Sequence, residues 1–303
     1  MSNPNLAVVG TVAIDSIETP FGNRPQVFGG SASYFSYVAS FFTPVALVAV
    51  VGKDFPEEYR MVLAERNIDL SHLHVLDGKT FAWKGKYEGD MNVAKTLATD
   101  LNTLLDFNPQ LQFQKHPEFL FLANIAPELQ LNVLNQTHKD HLKYVACDTM
   151  NFWIQSKPEI LKKVYQKVDC VFLNDGEAKQ LTGESNLIQA ARAVRKLGPR
   201  HVLIKKGEHG VLLLHEDEIL ALPAFPLDQV YDPTGAGDTF AGGFMGYLAS
   251  THDTSFHNLK KAAAIGTIIA SFTVQDFGLD AIRRIKKQDI DNRLGQFQKI
   301  CTF

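Results

Sequence analysis

Long apolar runs are missing from this sequence. No stretch reaches the eighteen or so consecutive apolar residues that a membrane-spanning helix requires, so a membrane partner is not expected. Positive charge is sparse too. Lysine and arginine total 30 against 33 acidic residues, a net charge of −3, and no uninterrupted basic run exceeds two residues. Nothing therefore favours nucleic acid or an anionic membrane surface. Cysteine is scarce: Cys147, Cys170 and Cys301 are odd in number and far apart. They make neither a disulfide framework nor a CxxC metal signature, which points to a reducing, cytoplasmic setting. The opening "MSNPNLAVVG" lacks a positive n-region and is not expected to be a signal peptide, so the sequon at Asn135 carries no weight.

What is present is a patterned, core-rich chain of 303 residues, 45% of them hydrophobic. Short apolar, often β-branched runs at 6–10, 45–52, 118–123, 144–148, 170–174 and 201–205 read as buried strands. Helical patterns fall between them at 31–42, 56–67, 127–138, 157–167, 175–181 and 186–197. Later patterns at 235–249, 257–272, 279–286 and 287–298 are also helical. Such alternation argues for an α/β protein with a mostly parallel central sheet covered on both faces. Segments 11–28 and about 78–101 break the rhythm: they alternate apolar with polar and carry turn residues. We read them as a small second sheet inserted in one domain spanning 1–303.

The most informative stretch is "DPTGAGDTFAGG", residues 232–243. A helix starting near Gly235 contains Gly242, Gly243 and Gly246, and each costs about 1 kcal/mol relative to alanine. Those three are expected to serve tight helix–sheet packing. Gly235, Ala236 and Gly237 sit where backbone N–H groups lack helical partners and the dipole is positive, an arrangement suited to phosphate. Asp238 has two readings. It is an ordinary first-turn carboxylate, or it is a base beside the anion hole that takes a proton from a substrate hydroxyl.

The same stretch, extended to "DPTGAGDTFAGGF", resembles the C-terminal signature of the ribokinase-like, or PfkB, family of carbohydrate and nucleoside kinases. "VVGTVAIDSI", "FGGSASYFSYVAS", "VVGKDFPEEY", "FLNDGEAKQLTG" and "LIKKGEHGVLL" follow in the family's order, so the resemblance covers nearly the whole chain. It implies a three-layer α/β/α core with a small β-sheet lid, ATP and Mg²⁺ as requirements, and K⁺ as a candidate one. By the same resemblance Asp238 is the catalytic base, with Gly235, Ala236 and Gly237 supplying amides. Asp232 is a candidate for a monovalent cation, its alternative being a plain Asp-Pro turn. Asn174 and Glu177 match an Asn-x-x-Glu element in which Glu177 acts on Mg²⁺ through water; a helix-capping box is the structural alternative, and both can hold. Lys206, Gly207 and Gly210 match the nucleotide-side hairpin. Asp15, Gly29 and Gly30 match the substrate side.

Two asparagines of ribokinases are replaced here, by Ala13 and at Ser33, which puts ribose itself in question. Trp83 and Tyr87 share a face of a lid strand. They suit stacking on a sugar or base, or covering the lid's own apolar face. Asp148 and Asn151 follow a core strand at the edge where ligands usually lie. "GKT" at 78–80 is not a P-loop, because Leu73 stands where its first glycine belongs. "GAGDTFAGG" fails as a dinucleotide fingerprint because Phe240 replaces the third glycine. His72 and His74 are too weak a pair for metal.

The expected activity is transfer of the γ-phosphate of MgATP to a hydroxyl of a sugar or sugar-like polyol. The alternative acceptor is a nucleoside of adenosine or cytidine type. A non-catalytic ligand-binding protein on the same fold is the second alternative. The lid's exposed edges make a homodimer through the lid a candidate assembly.

Overall fold

The computed structural model describes residues 4–137 and 141–302. The chain opens with β1 (Leu6–Val9), β2 (Ala13–Thr19), β3 (Gly22–Gly29), α1 (Ser31–Ala39), β4 (Val45–Gly52) and α2 (Glu57–Ala64). Then come β5 (Ile68–Asp69), β6 (Leu73–Leu76), β7 (Ala82–Tyr87), β8 (Ala94–Asp100), β9 (Phe119–Leu122), α3 (Pro127–Gln136) and β10 (Tyr144–Cys147). The middle of the chain holds α4 (Asn151–Ser156), α5 (Pro158–Tyr165), β11 (Cys170–Asn174), α6 (Asp175–Thr182), α7 (Leu187–Arg195) and β12 (His201–Lys205). It closes with β13 (Val211–His215), β14 (Glu218–Leu222), α8 (Ala236–Thr251), α9 (Phe256–Thr273), α10 (Asp280–Arg284) and α11 (Lys287–Cys301).

The main sheet runs β14-β13-β12-β11-β10-β9-β1-β4-β5, with β6 also paired to β4. It is parallel from β12 through β4, and β13 and β14 add an antiparallel meander at one edge. All of β1 and β4 is buried, as expected of strands with no solvent face. Successive side chains go to opposite sides. Leu6, Val8, Phe119 and Phe121 join a core with α1, α8 and α9. Ala7, Val9, Leu120 and Leu122 join one with α3, α5 and α7. These are the three layers that the sequence pattern implies.

The second sheet, β3-β2-β7-β8, comes from the two segments that broke the rhythm. Burial alternates along β2, so Ala13, Asp15 and Ile17 share its inner face. The lid joins the core directly: β2 follows β1 after three residues, and β3 leads through Gly30 into α1. Gly30 has φ +96°, and a Cβ there would lie 2.5 Å from the Thr11 carbonyl oxygen, so the crossing needs glycine.

The α8 glycines correct an expectation: much of the close packing is against helices, not the sheet. A Cβ on Gly242 would lie 2.6 Å from the Phe35 carbonyl oxygen, and one on Gly246 would lie 2.9 Å from Ala39 Cα, both on α1. Gly243 faces Ile269 of α9 in the same way. Three short elements, β5, β6 and α4, and the last meander strand, β14, had no expected counterpart. Helix α3 ends at Gln136, and residue 138 of its expected span lies outside the described residues. Among the described residues, no helix is long and apolar enough to cross a membrane.

Candidate active site

Parallel strands bring their carboxyl ends to one edge, where ligands of open α/β folds lie. There β10 hands over to Asp148, β11 ends at Asn174, and β12 ends at Lys205. Helix α8 starts at the same edge. Its N-cap, Gly235, has φ +76°, and a Cβ there would lie 2.6 Å from the Tyr34 ring. Glycine is therefore required both for the left-handed turn and for the approach to the ring. No side chain caps the helix. The Ala236 N–H bonds the Pro233 carbonyl at 3.2 Å, so one of the three expected anion-hole amides is engaged. Asp232, fully buried, anchors the loop: Oδ1 accepts the Thr234 N–H at 2.9 Å, and Oδ2 accepts the Gly278 N–H at 3.2 Å.

Asp238 occupies the first turn of α8 and is partly buried. Burial pushes its carboxyl up to about 7; the Asp148 charge adds to the rise and Lys205 opposes it. Asp15 comes in from the lid, 4% exposed. Burial likewise takes it to about 7, against the backbone N–H groups of Trp83 and Gly30. Its Oδ1 has no hydrogen-bond partner. A Cβ on Gly29 would collide with Oδ2 at 1.9 Å, so the missing side chain makes room for this carboxylate.

Two phenols complete this end. Tyr34 and Tyr87 are buried, and burial raises both, with Asp15, Asp232 and Asp238 adding to the effect. Both phenols and Asp15 thus lie within electrostatic range of Asp232 and Asp238. The Thr234 hydroxyl donates to the Tyr87 hydroxyl at 3.3 Å, tying a lid strand to the loop before α8. Tyr34 Oη has no partner.

At the other end, Asn174 and Glu177 form the anticipated capping box. Asn174 Oδ1 accepts the Glu177 N–H at 2.7 Å, and Glu177 Oε2 accepts the Asn174 N–H at 2.7 Å. Burial pushes Glu177 up to about 7, with Asp148 adding and Lys205 opposing. Among the described residues, no three metal-ligating side chains come together. A divalent ion here would be held through waters and phosphate oxygens. Glu177 fits that role, since the cap bond occupies Oε2 alone.

The structure also separates residues that the sequence treated alike. Asp148 enters the site: Oδ1 accepts the Thr149 N–H at 2.8 Å, and Oδ2 accepts from Lys205 Nζ at 2.7 Å. Asn151 does not; it is exposed, and its Oδ1 accepts the N–H of its neighbour Phe152. Trp83 lies over Gly85 of its own strand and donates to Thr96, leaving Tyr87 as the one that reaches the loop. Ser33 Oγ is buried without a partner, while its neighbour Tyr34 meets Gly235. Lys206 bonds Gly210 through its backbone, and it is the Lys205 ammonium that lies beside Gly237. Gly207 abuts Asn92 in the lid turn, so the lid also touches the hairpin side. His72 packs on the Phe113 ring. Sequence reasoning missed Lys205 and Tyr34. A lysine closing the apolar strand "HVLIK" was a usable signal for the first, and a tyrosine at the mouth of α1 gave none.

The profile of pfkB family carbohydrate kinases matches residues 4–285. The chain belongs to this family. A cytidine kinase of Thermococcus kodakarensis is 31% identical over 244 residues, which is 80% of this chain and 87% of that protein. A Methanocaldococcus jannaschii nucleoside kinase, an archaeal member of the ribokinase family, superposes with a TM-score of 0.78. It is 20% identical, and the match covers 97% of this chain and 100% of that one. A Burkholderia thailandensis nucleoside kinase in complex with inosine also gives 0.78, at 18% identity, covering 96% and 98%. As a pfkB-family kinase, the chain is an ATP-dependent phosphotransferase with an alcohol acceptor.

Proposed function

We propose that this pfkB kinase phosphorylates a nucleoside, at a hydroxyl of its ribose. The observation that carries the chemistry is the approach of two carboxylates within electrostatic range, the buried Asp15 with an unpartnered oxygen and the partly buried Asp238 at the mouth of α8. The nucleoside variant of the expected acceptor, in preference to a free sugar, is supported by the cytidine and nucleoside kinases among its relatives.

The geometry supports a role for each residue. Asp15, in the room left by Gly29 and Gly30, accepts hydrogen bonds from ribose hydroxyls. Asp238, with a pKa near the operating pH, takes the proton of the attacking hydroxyl. The amides of Gly235 and Gly237, with that of Ala236 already on the Pro233 carbonyl, face the phosphoryl oxygens, where oriented dipoles act without reorganisation. Lys206, Gly207 and Gly210 frame the nucleotide. Glu177 would hold a Mg²⁺ through water, and that ion would supply positive charge against the phosphates. Asp232, already bonded to two amides, fixes the loop and stands near any K⁺ bound there. The lid excludes water, which would otherwise compete as acceptor. Its outer strand β8 exposes Leu97, and Val93 precedes it, offering a surface for a second subunit.

The test is ADP release with MgATP over a panel of cytidine, uridine, adenosine, inosine, free ribose, fructose and inositol, with and without K⁺. A nucleoside should show the highest kcat/KM. A free sugar outperforming every nucleoside overturns the acceptor assignment, and no turnover with any alcohol favours the ligand-binding alternative.

A further inference from the structure

Lys205 closes β12, and its ammonium is mostly buried, the side chain being 19% exposed. It lies 2.7 Å from Asp148 Oδ2, on a carboxylate that is itself 5% exposed. It also lies 2.9 Å from the point that a Cβ on Gly237 would occupy. The space left by that glycine is therefore filled by a positive charge directly over the first turn of α8. Asp148 is held firmly: Gln130 Nε2 donates to its carbonyl at 2.9 Å, and the Thr149 N–H holds Oδ1. A buried ion pair gains little stability once desolvation is counted. Its place beside the amides is better explained by an anion that arrives there. Lys206 lies past the end of β12, in the turn where its N–H bonds the Gly210 carbonyl, and it is Lys205 whose ammonium reaches Gly237.

We propose that Lys205 is a further catalytic residue, waiting on Asp148 and contacting the non-bridging oxygens of the phosphoryl group in transfer, with Asp148 as its positioning residue. The inference rests on the phosphotransfer reading above. In that step the acceptor oxygen forms a bond to Pγ while the bond from Pγ to the β–γ bridging oxygen breaks. The electron pair leaves with ADP, and the hydroxyl proton passes to Asp238. Lys205 exchanges no proton; it offsets charge on the equatorial oxygens, where the transition state needs it. The charges facing it are Asp148, Glu177 and Asp238. Burial would lower its pKa, but these three carboxylates prevail and hold it up, so it stays cationic.

The experiment compares Lys205→Met, Lys205→Arg, Asp148→Asn and the double variant Lys205→Met/Asp148→Asn, with Asp238→Asn as control, on the best nucleoside of the panel. Lys205→Met should lower kcat roughly 100-fold, the scale of losing one oriented charge or donor. The nucleoside KM should hold within about threefold, since the ammonium lies on the phosphate side, and Lys205→Arg should recover part of the loss. The acid limb of the pH profile should move up in Lys205→Met and down in Asp148→Asn, because the two charges act on Asp238 with opposite sign. The double variant removes both charges without stranding either; it should fold and remain as slow as Lys205→Met. A merely structural pair would instead give losses that track the urea midpoint, with no recovery in Lys205→Arg beyond the recovery of stability. That result, or near-normal kcat in Lys205→Met or in the double variant, overturns the proposal. If Asp238→Asn also turns over normally, the phosphotransfer reading itself has failed; if only the lysine variants do, this inference alone has failed.

Discussion

Replacing Asp238 with asparagine separates the two roles that a first-turn carboxylate can have. If Asp238 serves the helix dipole, its loss costs stability, about 0.3–1 kcal/mol, at every pH where it is ionised. The structure predicts the reverse. Burial raises this carboxyl from 3.8 to about 7. A displacement of that size corresponds to about 4 kcal/mol of preference for the neutral form. A raised folded pKa means that the fold favours the protonated group, so stability declines as pH rises from about 4 through about 7 and then levels off. Asp238 keeps some solvent contact, so the realised gain on neutralisation is smaller, roughly 1–3 kcal/mol at pH 8. Asp238→Asn should therefore raise the urea midpoint at pH 8 while lowering turnover by orders of magnitude. The stability gain should shrink toward pH 5, where the native carboxyl is already protonated in the fold. A variant that is less stable at pH 8, or that keeps near-normal turnover, refutes the reasoning.

Three further outcomes are expected. With wild-type protein, kcat/KM should fall about tenfold per pH unit below the Asp238 pKa near 7, because the base must be ionised before substrate arrives; a flat profile between pH 5 and 7 would exclude this carboxyl as the base. Tyr87→Phe removes the hydroxyl that receives the Thr234 bond; it should cost at most about 1 kcal/mol in urea denaturation yet lower kcat/KM severalfold, and unchanged kinetics would show that this lid contact is idle. Gly242→Ala should destabilise by about 1–3 kcal/mol despite alanine's better helix propensity, because its Cβ would press on the Phe35 carbonyl at 2.6 Å; a neutral or stabilised variant would mean that α1 and α8 are free to part.

Much of the fold was legible because its strands are short, apolar and separated by helical periods. Their burial on both faces leaves no other arrangement, and the two alternating segments stood out against them. What was not legible depended on distance through space. The α8 glycines announced close packing, but a sequence does not say against what; the answer is the backbone of α1, whose register is fixed by contacts far along the chain. The capping box of Asn174 and Glu177 was readable because both partners lie within one turn. Lys205 was passed over for Lys206 because adjacent lysines look equivalent in a sequence, and only the Asp148 ion pair and the bare Gly237 distinguish them.

These misses share a cause that bears on how acceptors are chosen. The anion-hole loop is local, and four neighbouring residues define it. The proposed acceptor side is assembled from Asp15 on β2, Tyr34 on α1 and Tyr87 on β7, three elements that meet only when the lid rests on the core. Tyr34 touches Gly235 and stands within range of Asp15, Asp232 and Asp238. Its phenol therefore lies where the acceptor half of the site meets the phosphate half. That surface also touches the α8 loop, since Tyr34 packs on Gly235 and Tyr87 receives the Thr234 bond. In the proposed site the chemical step is written in a contiguous stretch of sequence, while the choice of substrate is distributed over the lid and α1, and a motif-based reading reaches the first before the second.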